Sequence, residues 1–102
     1  MTLEKELSLH GYELEQTGGG CTAYMKNTGD AVNTCFVLTI CYKNSEGEYE
    51  TDSTHPEEWP VYFGLCDDDA WYVVDSTIMH NVDELIKAEK ISIKNRSLLK
   101  KY

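Results

Sequence analysis

Residues 33–44 read NTCFVLTICYKN, and they form the strongest strand pattern in the chain. Successive side chains of a strand point to opposite faces, so this stretch divides into two sets by alternation. One set predicts the main core face and consists of Phe36, Leu38, Ile40 and Tyr42. The other set is only mildly polar and consists of Cys35, Val37, Thr39 and Cys41. A strand with two such faces is typical of the centre of a sheet, where it is covered on both sides.

Hairpin patterns lie on both sides of this central stretch. Residues 12–16 and 21–26 alternate around the sequence TGGG, which predicts a hairpin with a glycine-rich turn. The turn NSEG leads into a polar strand at 48–52, which we expect at an edge of the sheet. After a loop at 53–60 that contains both prolines, VYFGLC and WYVVD predict a third hairpin around a turn at 67–70.

Two helices complete the predicted fold. Thr2 is a suitable N-cap for a short helix that ends near Gly11. Asn81, with a glutamate three positions later, predicts a second helix that runs to about Lys90. Beyond this helix, the segment ISIK alternates and is compatible with a short last strand, while NRSLLKKY is compatible with a frayed helix. The whole chain, 1–102, is therefore predicted to be one α+β domain, an antiparallel sheet of about five or six strands flanked by an N-terminal and a C-terminal helix.

Acidic and basic residues are segregated along the chain. Residues 1–86 contain 17 acidic and three basic side chains, a net charge of −14. Residues 87–102 contain six basic side chains against Glu89 alone, a net charge of +5. A body with such an excess of carboxylates repels nucleic acid and attracts cationic surfaces. We therefore expect a partner protein with a basic surface, and no direct binding of nucleic acid.

The N-terminal sequence and the cysteines indicate the cellular location. The first twelve residues lack the basic start and the apolar run of a signal peptide, and no stretch reaches the roughly 18 apolar residues of a membrane span. We expect a cytoplasmic protein without membrane contact, in which the four cysteines are reduced thiols. Cys35 and Cys41 lie about 20 Å apart along one extended strand, too far for a disulfide or a shared metal. The spacings of structural zinc ligands are absent from the sequence, so neither a metal nor another cofactor is predicted.

Cys21, after the glycine turn, offers a catalytic alternative. A cysteine in this place is a candidate nucleophile, with Gln16 near a developing oxyanion and a histidine as base: His10, His55 or His80. The order glutamine, glycine, cysteine is similar to that of thiol proteases, but here the cysteine opens a strand-like segment. A turn that needs glycines for positive φ explains the same residues, so no catalytic residue is predicted.

The aspartates at 67–69, with Asp75 beyond them, suggest a cation site as a second alternative. A calcium loop needs alternating ligands, a central glycine and a glutamate at the twelfth position. The position twelve residues into such a loop from Asp67 is Ile78, so the pattern fails. A solvated turn between two apolar strands accounts for these aspartates, which also protect the sheet against edge-to-edge association.

The acidic series from Glu46 to Glu58 is the strongest functional signal. Residues two apart in a strand share a face, so an extended strand here would carry a ladder of carboxylates at roughly 6.6 Å spacing. The members of this ladder would be Glu46, Glu48, Glu50 and Asp52. Phosphates along one strand of B-DNA lie about 7 Å apart, so a ladder beside the aspartate turn would imitate a nucleic-acid backbone. An ordinary solvated edge strand explains the same pattern. The predicted partner-binding residues are Glu46, Glu48, Glu50, Asp52, Glu57, Glu58, Asp67, Asp68 and Asp69.

The C-terminal segment combines basic side chains with the apolar Leu98, Leu99 and Tyr102. Five net charges are few for binding nucleic acid or an anionic membrane, and the acidic body opposes both. We expect the basic C-terminal segment to dock on the acidic body, either of the same chain or of a twofold-related copy. The second arrangement would be a homodimer.

Two segments resemble small acidic proteins encoded by phages and prophages. The opening HGYELEQTGGGCTAYMK is similar to theirs in its short helix, Gly-Tyr step and TGGGC hairpin, and VYFGLCDDD resembles a later strand. By size and charge, the chain resembles phage-encoded inhibitors of host systems, including anti-CRISPR proteins. The resemblance implies a protein of the host cytoplasm that binds and blocks a nucleic-acid-handling complex, and it carries over no catalytic position.

Three functions from different classes follow from these patterns. The leading hypothesis is a non-enzymatic acidic interaction protein, a phage-encoded inhibitor that binds the basic surface of a host nucleic-acid-handling defence protein by mimicry of nucleic acid. The alternative is a structural or assembly protein that forms a homo-oligomer through its basic C-terminal tail. A small cysteine-dependent enzyme that uses Cys21 is the third.

Overall fold

The computed structural model describes residues 2–18, 20–29, 34–52, 54–67, 70–73, 78–94 and 100–101. Within these ranges, helix α1 spans Leu3–Leu9 and helix α2 spans Val82–Lys94. The strands are β1 Glu13–Gly18, β2 Cys21–Asn27, β3 Thr34–Lys43, β4 Tyr49–Asp52, β5 Val61–Asp67, β6 Ala70–Val73, β7 Ile78–Met79 and β8 Lys100–Lys101.

The strands form one antiparallel sheet. A path of six strands runs in the order β1-β2-β3-β5-β6-β8, with β4 beside β3 and β7 beside β5. Ile40 of β3 pairs with Val61 of β5 on one side and with Asp52 of β4 on the other. The strand β4 therefore follows β2 along the same edge of β3. The predicted α+β class, with an antiparallel sheet and a helix toward each end of the chain, is confirmed.

The central position predicted for β3 is confirmed, since it pairs with β2, β4 and β5. Residues of both its faces are buried: Phe36, Val37, Leu38 and Cys41. Tyr42 was predicted for the core face and is instead 44% exposed. The reason is that the pairing of β3 with β5 ends at Ile40, so Tyr42 projects past the main body of the sheet beside β4 alone.

The main core lies between the two helices and one face of the sheet, which we name the helix face and which carries Phe36 and Leu38. The cluster also contains Leu3, Leu7, Tyr12, Tyr24, Val61, Phe63, Leu65, Met79, Leu85 and Ala88. The rings of Phe36 and Phe63 lie 5.6 Å apart at its centre. The other face of the sheet, the opposite face, carries Cys35 and Val37.

Both predicted helix starts are confirmed by their side-chain caps. The Thr2 hydroxyl accepts a hydrogen bond from the backbone N–H of Lys5 at 3.3 Å. The Asn81 side-chain oxygen accepts from the backbone N–H of Glu84 at 2.9 Å. The Glu84 carboxylate accepts from the backbone N–H of His80, the residue before Asn81, at 2.7 Å, so a second side-chain bond closes the start of α2.

The second helix is longer than the sequence predicts, because the segment ISIK is helical and α2 ends at Lys94. Its buried residues, Leu85, Ala88 and Ser92, follow the three- and four-residue spacing of a helix face. The buried Ser92 hydroxyl donates to the Ala88 carbonyl at 2.8 Å, so this polar side chain is satisfied within the helix. Of the two helices described, neither is long and apolar enough to cross a membrane.

Candidate acidic interface

Glu46 and Glu48 lie in the turn between β3 and β4 rather than in a strand. Their backbone N–H groups both donate to the Asn44 side-chain oxygen, at 2.8 and 3.0 Å. Gly47 has φ +83°, the left-handed conformation that glycine adopts without strain. The turn is therefore fixed by backbone bonds, while the side chains of both glutamates are exposed.

The predicted four-rung ladder is wrong, because β4 begins at Tyr49 and contains only two of its members, Glu50 and Asp52. The Glu50 carboxylate accepts hydrogen bonds from the Tyr42 hydroxyl and the Asn44 side-chain amide, each at 3.2 Å. The hydrogen bond to Glu50 raises the pKa of Tyr42, and the charges of Glu50 and Asp52 also raise it. The strand thus presents two carboxylates beside a phenol that stays protonated.

The loop after β4 adds further exposed carboxylates, Glu57 and Glu58. The His55 ring of this loop packs edge-on against the ring of Tyr24, with centroids 5.9 Å apart. Burial raises the pKa of Tyr24, and the charges of Glu4 in α1 and of Glu57 raise it further. Carboxylates from two distant parts of the chain therefore converge on one tyrosine.

The carboxylates of β4 and of the following loop lie along the edge of β3 that pairs first with β2 and then with β4. The backbone N–H of Ile40 donates to the carbonyl of Thr54 at 2.7 Å, so the loop starts against the same edge of β3 as β4. We name this group of exposed carboxylates the acidic edge, and it consists of Glu4, Glu46, Glu48, Glu50, Asp52, Glu57 and Glu58.

The aspartate turn is not beside this edge. Asp67 ends β5 and pairs with Thr34, the first residue of β3, whereas β4 pairs with β3 from Ile40 onward. The six residues from Thr34 to Ile40 correspond to roughly 20 Å of strand. The pairing of Asp67 with Ala70 confirms the predicted hairpin, while Asp68 and Asp69 lie outside the described residues.

Two exposed lysines lie among the carboxylates of the acidic edge: Lys5 follows Glu4 in α1, and Lys43 ends β3 with its ammonium 5.3 Å from the centre of the Tyr49 ring. Other basic side chains are carried by other elements. Lys87, Lys90 and Lys94 are exposed on α2. The Lys26 ammonium lies 3.0 Å from a Glu89 carboxylate oxygen on the helix face. In the C-terminal segment, the backbone of β8 pairs with β6 of the same chain, so part of this segment is used within the fold.

Among the described residues, no hydrogen bond joins Cys21 to a histidine, so the predicted alternative of a catalytic pair is not assembled. Cys21 pairs with Gly18 at the glycine turn. His55 is hydrogen-bonded to Thr22, whose side chain lies on the opposite side of the sheet from its neighbour Cys21. His80 lies 3.2 Å from the Glu84 carboxylate at the start of α2.

Sequence reasoning missed two kinds of residue at the acidic edge. Glu4 is included because its charge and that of Glu57, 53 positions away, both raise the pKa of Tyr24, and no local pattern predicts this combined effect. Tyr42 is 44% exposed beside Glu50, and Tyr49 is 37% exposed near the Lys43 ammonium and the His80 ring. The exposure of Tyr49 could have been predicted from the sequence, because this residue alternates with acidic residues in a polar edge strand.

Among the described residues, no group of three or more His, Cys, Asp or Glu side chains is arranged to hold a metal ion. Comparisons of the chain with protein-family models, curated proteins and solved structures find no match. The resemblance to phage-encoded proteins is therefore still a prediction from the sequence.

Proposed function

We propose that this chain is a non-enzymatic acidic interaction protein whose acidic edge binds the basic, nucleic-acid-binding surface of a second protein and blocks it. The observation that carries the proposal is the joint exposure of seven carboxylates contributed by α1, the β3–β4 turn, β4 and the following loop. The sequence resemblance extends the proposal to a phage-encoded inhibitor of a host defence protein.

Carboxylates of the acidic edge raise the pKa of two tyrosines. Glu50 raises the pKa of Tyr42, first by its hydrogen bond and then by its charge. After burial, Glu4 and Glu57 are the next causes of the raised pKa of Tyr24. A region in which carboxylates accumulate is complementary to a cationic groove, and such complementarity speeds association and selects the partner.

Exposed tyrosines give contact area on the two faces of this strand pair. The Tyr42 hydroxyl is oriented by its bond to Glu50, whereas Tyr49 lies on the other face, with its ring beside the Lys43 ammonium. Tyrosine is enriched among the residues that dominate interface energies, because it buries much surface for little lost conformational freedom. An edge that combines carboxylates with such rings fits a protein partner better than it fits free cations.

Mimicry of nucleic acid then rests on charge density rather than on a regular ladder. Glu50 and Asp52 keep a spacing of roughly 6.8 Å along β4, close to the phosphate spacing of about 7 Å. The remaining carboxylates come from a turn, a loop and a helix, so their spacing is irregular. We therefore expect duplex DNA and this chain to compete for one basic surface of the partner.

The proposal is tested with a fourfold edge variant and a matched control. The edge variant carries Glu46→Gln, Glu48→Gln, Glu50→Gln and Asp52→Asn. The control removes the same number of charges elsewhere, through Glu6→Gln, Glu13→Gln, Glu15→Gln and Asp83→Asn. Each protein is immobilised, exposed to nuclease-treated bacterial lysate, and eluted either with rising NaCl or with a duplex DNA of random sequence.

The expected result is that the wild type and the control retain the same protein, which both salt and duplex DNA release. The edge variant should retain at least about tenfold less of it, which corresponds to roughly 1.4 kcal/mol of binding free energy. Equal capture by the edge variant would contradict the proposal. So would a captured protein that duplex DNA fails to release, or recovery of nothing but further copies of this chain.

A further inference from the structure

Two cysteines face each other in the central strand pair. Cys35 of β3 and Cys66 of β5 are directly opposed partners in the antiparallel ladder. Opposed residues of such a pair share a face, and their Cα atoms lie about 4.5 to 5.5 Å apart. Disulfides usually join residues whose Cα atoms are about 4.4 to 6.8 Å apart. The backbone therefore already holds this pair at the separation that a disulfide requires.

We propose that Cys35 and Cys66 form a thiol–disulfide modification site, which an external low-molecular-weight disulfide oxidises to an intramolecular bond between β3 and β5. Both are thiols in the structure, and both are partly accessible to solvent. This inference is independent of the proposed function, because the pair lies away from the acidic edge, near the start of β3.

The other two cysteines lack such a partner in the described ladders. Cys41 is opposed to Thr51 of β4 and is only 7% exposed. Cys21 is opposed to Gly18 across the glycine turn. From the sequence, only Cys35 and Cys41 were compared as a possible pair, and these two share a strand and cannot meet. The pairing with Cys66 depends on the register of β3 against β5, which no local pattern reveals.

Oxidation requires the Cys35 side chain to give up a hydrogen bond. Its thiol donates to the side-chain oxygen of Asn27, its partner on β2, at 3.3 Å. The sulfur must leave this bond and rotate from the β2 side toward β5, which needs a side-chain rotation and no break in the ladder. Burial raises the pKa of the Cys35 thiol, and the Glu15 carboxylate raises it further. A cationic disulfide is therefore a better reagent here than an anionic one.

The reaction is two successive thiol–disulfide exchanges. One protein thiolate attacks a sulfur of the external disulfide, forms a mixed disulfide and expels one small thiolate. The second protein thiolate then attacks the protein sulfur of the mixed disulfide, forms the bond between residues 35 and 66, and expels the second small thiolate. The protein loses two electrons and two protons, and the reagent takes both and leaves as two thiol molecules.

The test uses cystamine, a cationic disulfide, on the native protein. Three proteins are compared: the wild type, the double variant Cys21→Ser/Cys41→Ser, and the triple variant that adds Cys66→Ser. Far-UV circular dichroism establishes that each is folded before and after treatment. Intact mass and peptide mapping without reduction then locate the bonds.

The double variant should lose about 2 Da, and both it and the wild type should yield a cross-linked peptide pair that contains residues 35 and 66. The triple variant should instead gain one half of cystamine on Cys35 and keep it. The oxidised wild type should unfold at a higher urea concentration than the reduced protein, and dithiothreitol should reverse the shift. Folded wild-type protein that keeps both cysteines as separate mixed disulfides would overturn the proposal, as would a bond from either one to Cys21, Cys41 or another chain.

Discussion

Removal of the Glu89 carboxylate is the sharpest test of how α2 is held on the sheet. Glu89 accepts a hydrogen bond from the Tyr12 hydroxyl at 2.6 Å and two from the Lys26 ammonium at 3.0 and 3.2 Å. Its side chain is 12% exposed and that of Lys26 is 28% exposed. The Lys26 ammonium also lies 5.4 Å from the centre of the Tyr12 ring. One carboxylate thus joins the C-terminal helix to β2 and to the residue before β1.

The magnitude follows from what Glu89→Ala leaves behind. A buried ion pair that loses one partner usually costs about 3 to 5 kcal/mol, and a buried hydroxyl without a partner costs about 1 to 3 kcal/mol. Because Lys26 keeps some contact with water, the cost of leaving it without Glu89 lies toward the lower end of the range for a buried ion pair. We expect a loss of about 3 kcal/mol in the free energy of unfolding, a large fraction of the roughly 5 to 15 kcal/mol typical of a domain.

The assay is urea unfolding under reducing conditions, followed by far-UV circular dichroism. Lys90→Ala, an exposed change on the same helix, is the control and should stay within about 0.5 kcal/mol of the wild type. A double-mutant cycle of Lys26→Met and Glu89→Met should show the two losses to be strongly non-additive. A Glu89→Ala variant as stable as the control, or a cycle with additive losses, would refute this account of the helix docking.

Three further predictions concern the fold. Burial and the bond to Glu89 raise the pKa of Tyr12, so above about pH 10 the unfolded chain releases a proton that the native protein keeps. The free energy of unfolding should fall there with rising pH by about 1.4 kcal/mol per unit from this group, and Tyr12→Phe should remove that part of the slope in urea titrations. Phe63→Ala should cost about 3 to 5 kcal/mol, because it leaves a cavity beside Phe36; a loss below about 1 kcal/mol would show that the site collapses. Gly47→Ala should cost about 1 kcal/mol through its positive φ alone, since nothing lies within 4 Å of the added methyl group, and thermal unfolding that matches the wild type would contradict this.

Much of the fold was predictable because its signals are local. Alternation in β3, glycine at the turn before β4 and the side-chain caps of both helices are properties of short segments, and each is confirmed. The errors arise where packing decides. Tyr42 follows the alternation of the core face, yet β5 stops short of it. The segment ISIK alternates like a strand, yet helical spacing places Ser92 in the core.

The candidate site was less predictable, because it depends on where a strand begins and on how strands are ordered. The ladder hypothesis required β4 to extend back to Glu46, and the Asn44 side chain closes a turn there instead. The combined effect of the Glu4 and Glu57 charges on the pKa of Tyr24 depends on tertiary structure. The distance of Asp67 from the acidic edge follows from the antiparallel register of β3 and β5, which a single sequence leaves undetermined.

The most direct test of the acidic edge is competition for DNA on the purified captured partner. A fluorescent duplex bound to that partner is followed by anisotropy while the wild type, the edge variant or the charge-matched control is added at two salt concentrations. We expect the wild type and the control to displace the duplex at similar concentrations and the edge variant to need at least about tenfold more. Added salt should weaken displacement. A duplex that stays bound in the presence of excess wild type, or an edge variant that displaces it equally well, would contradict the account.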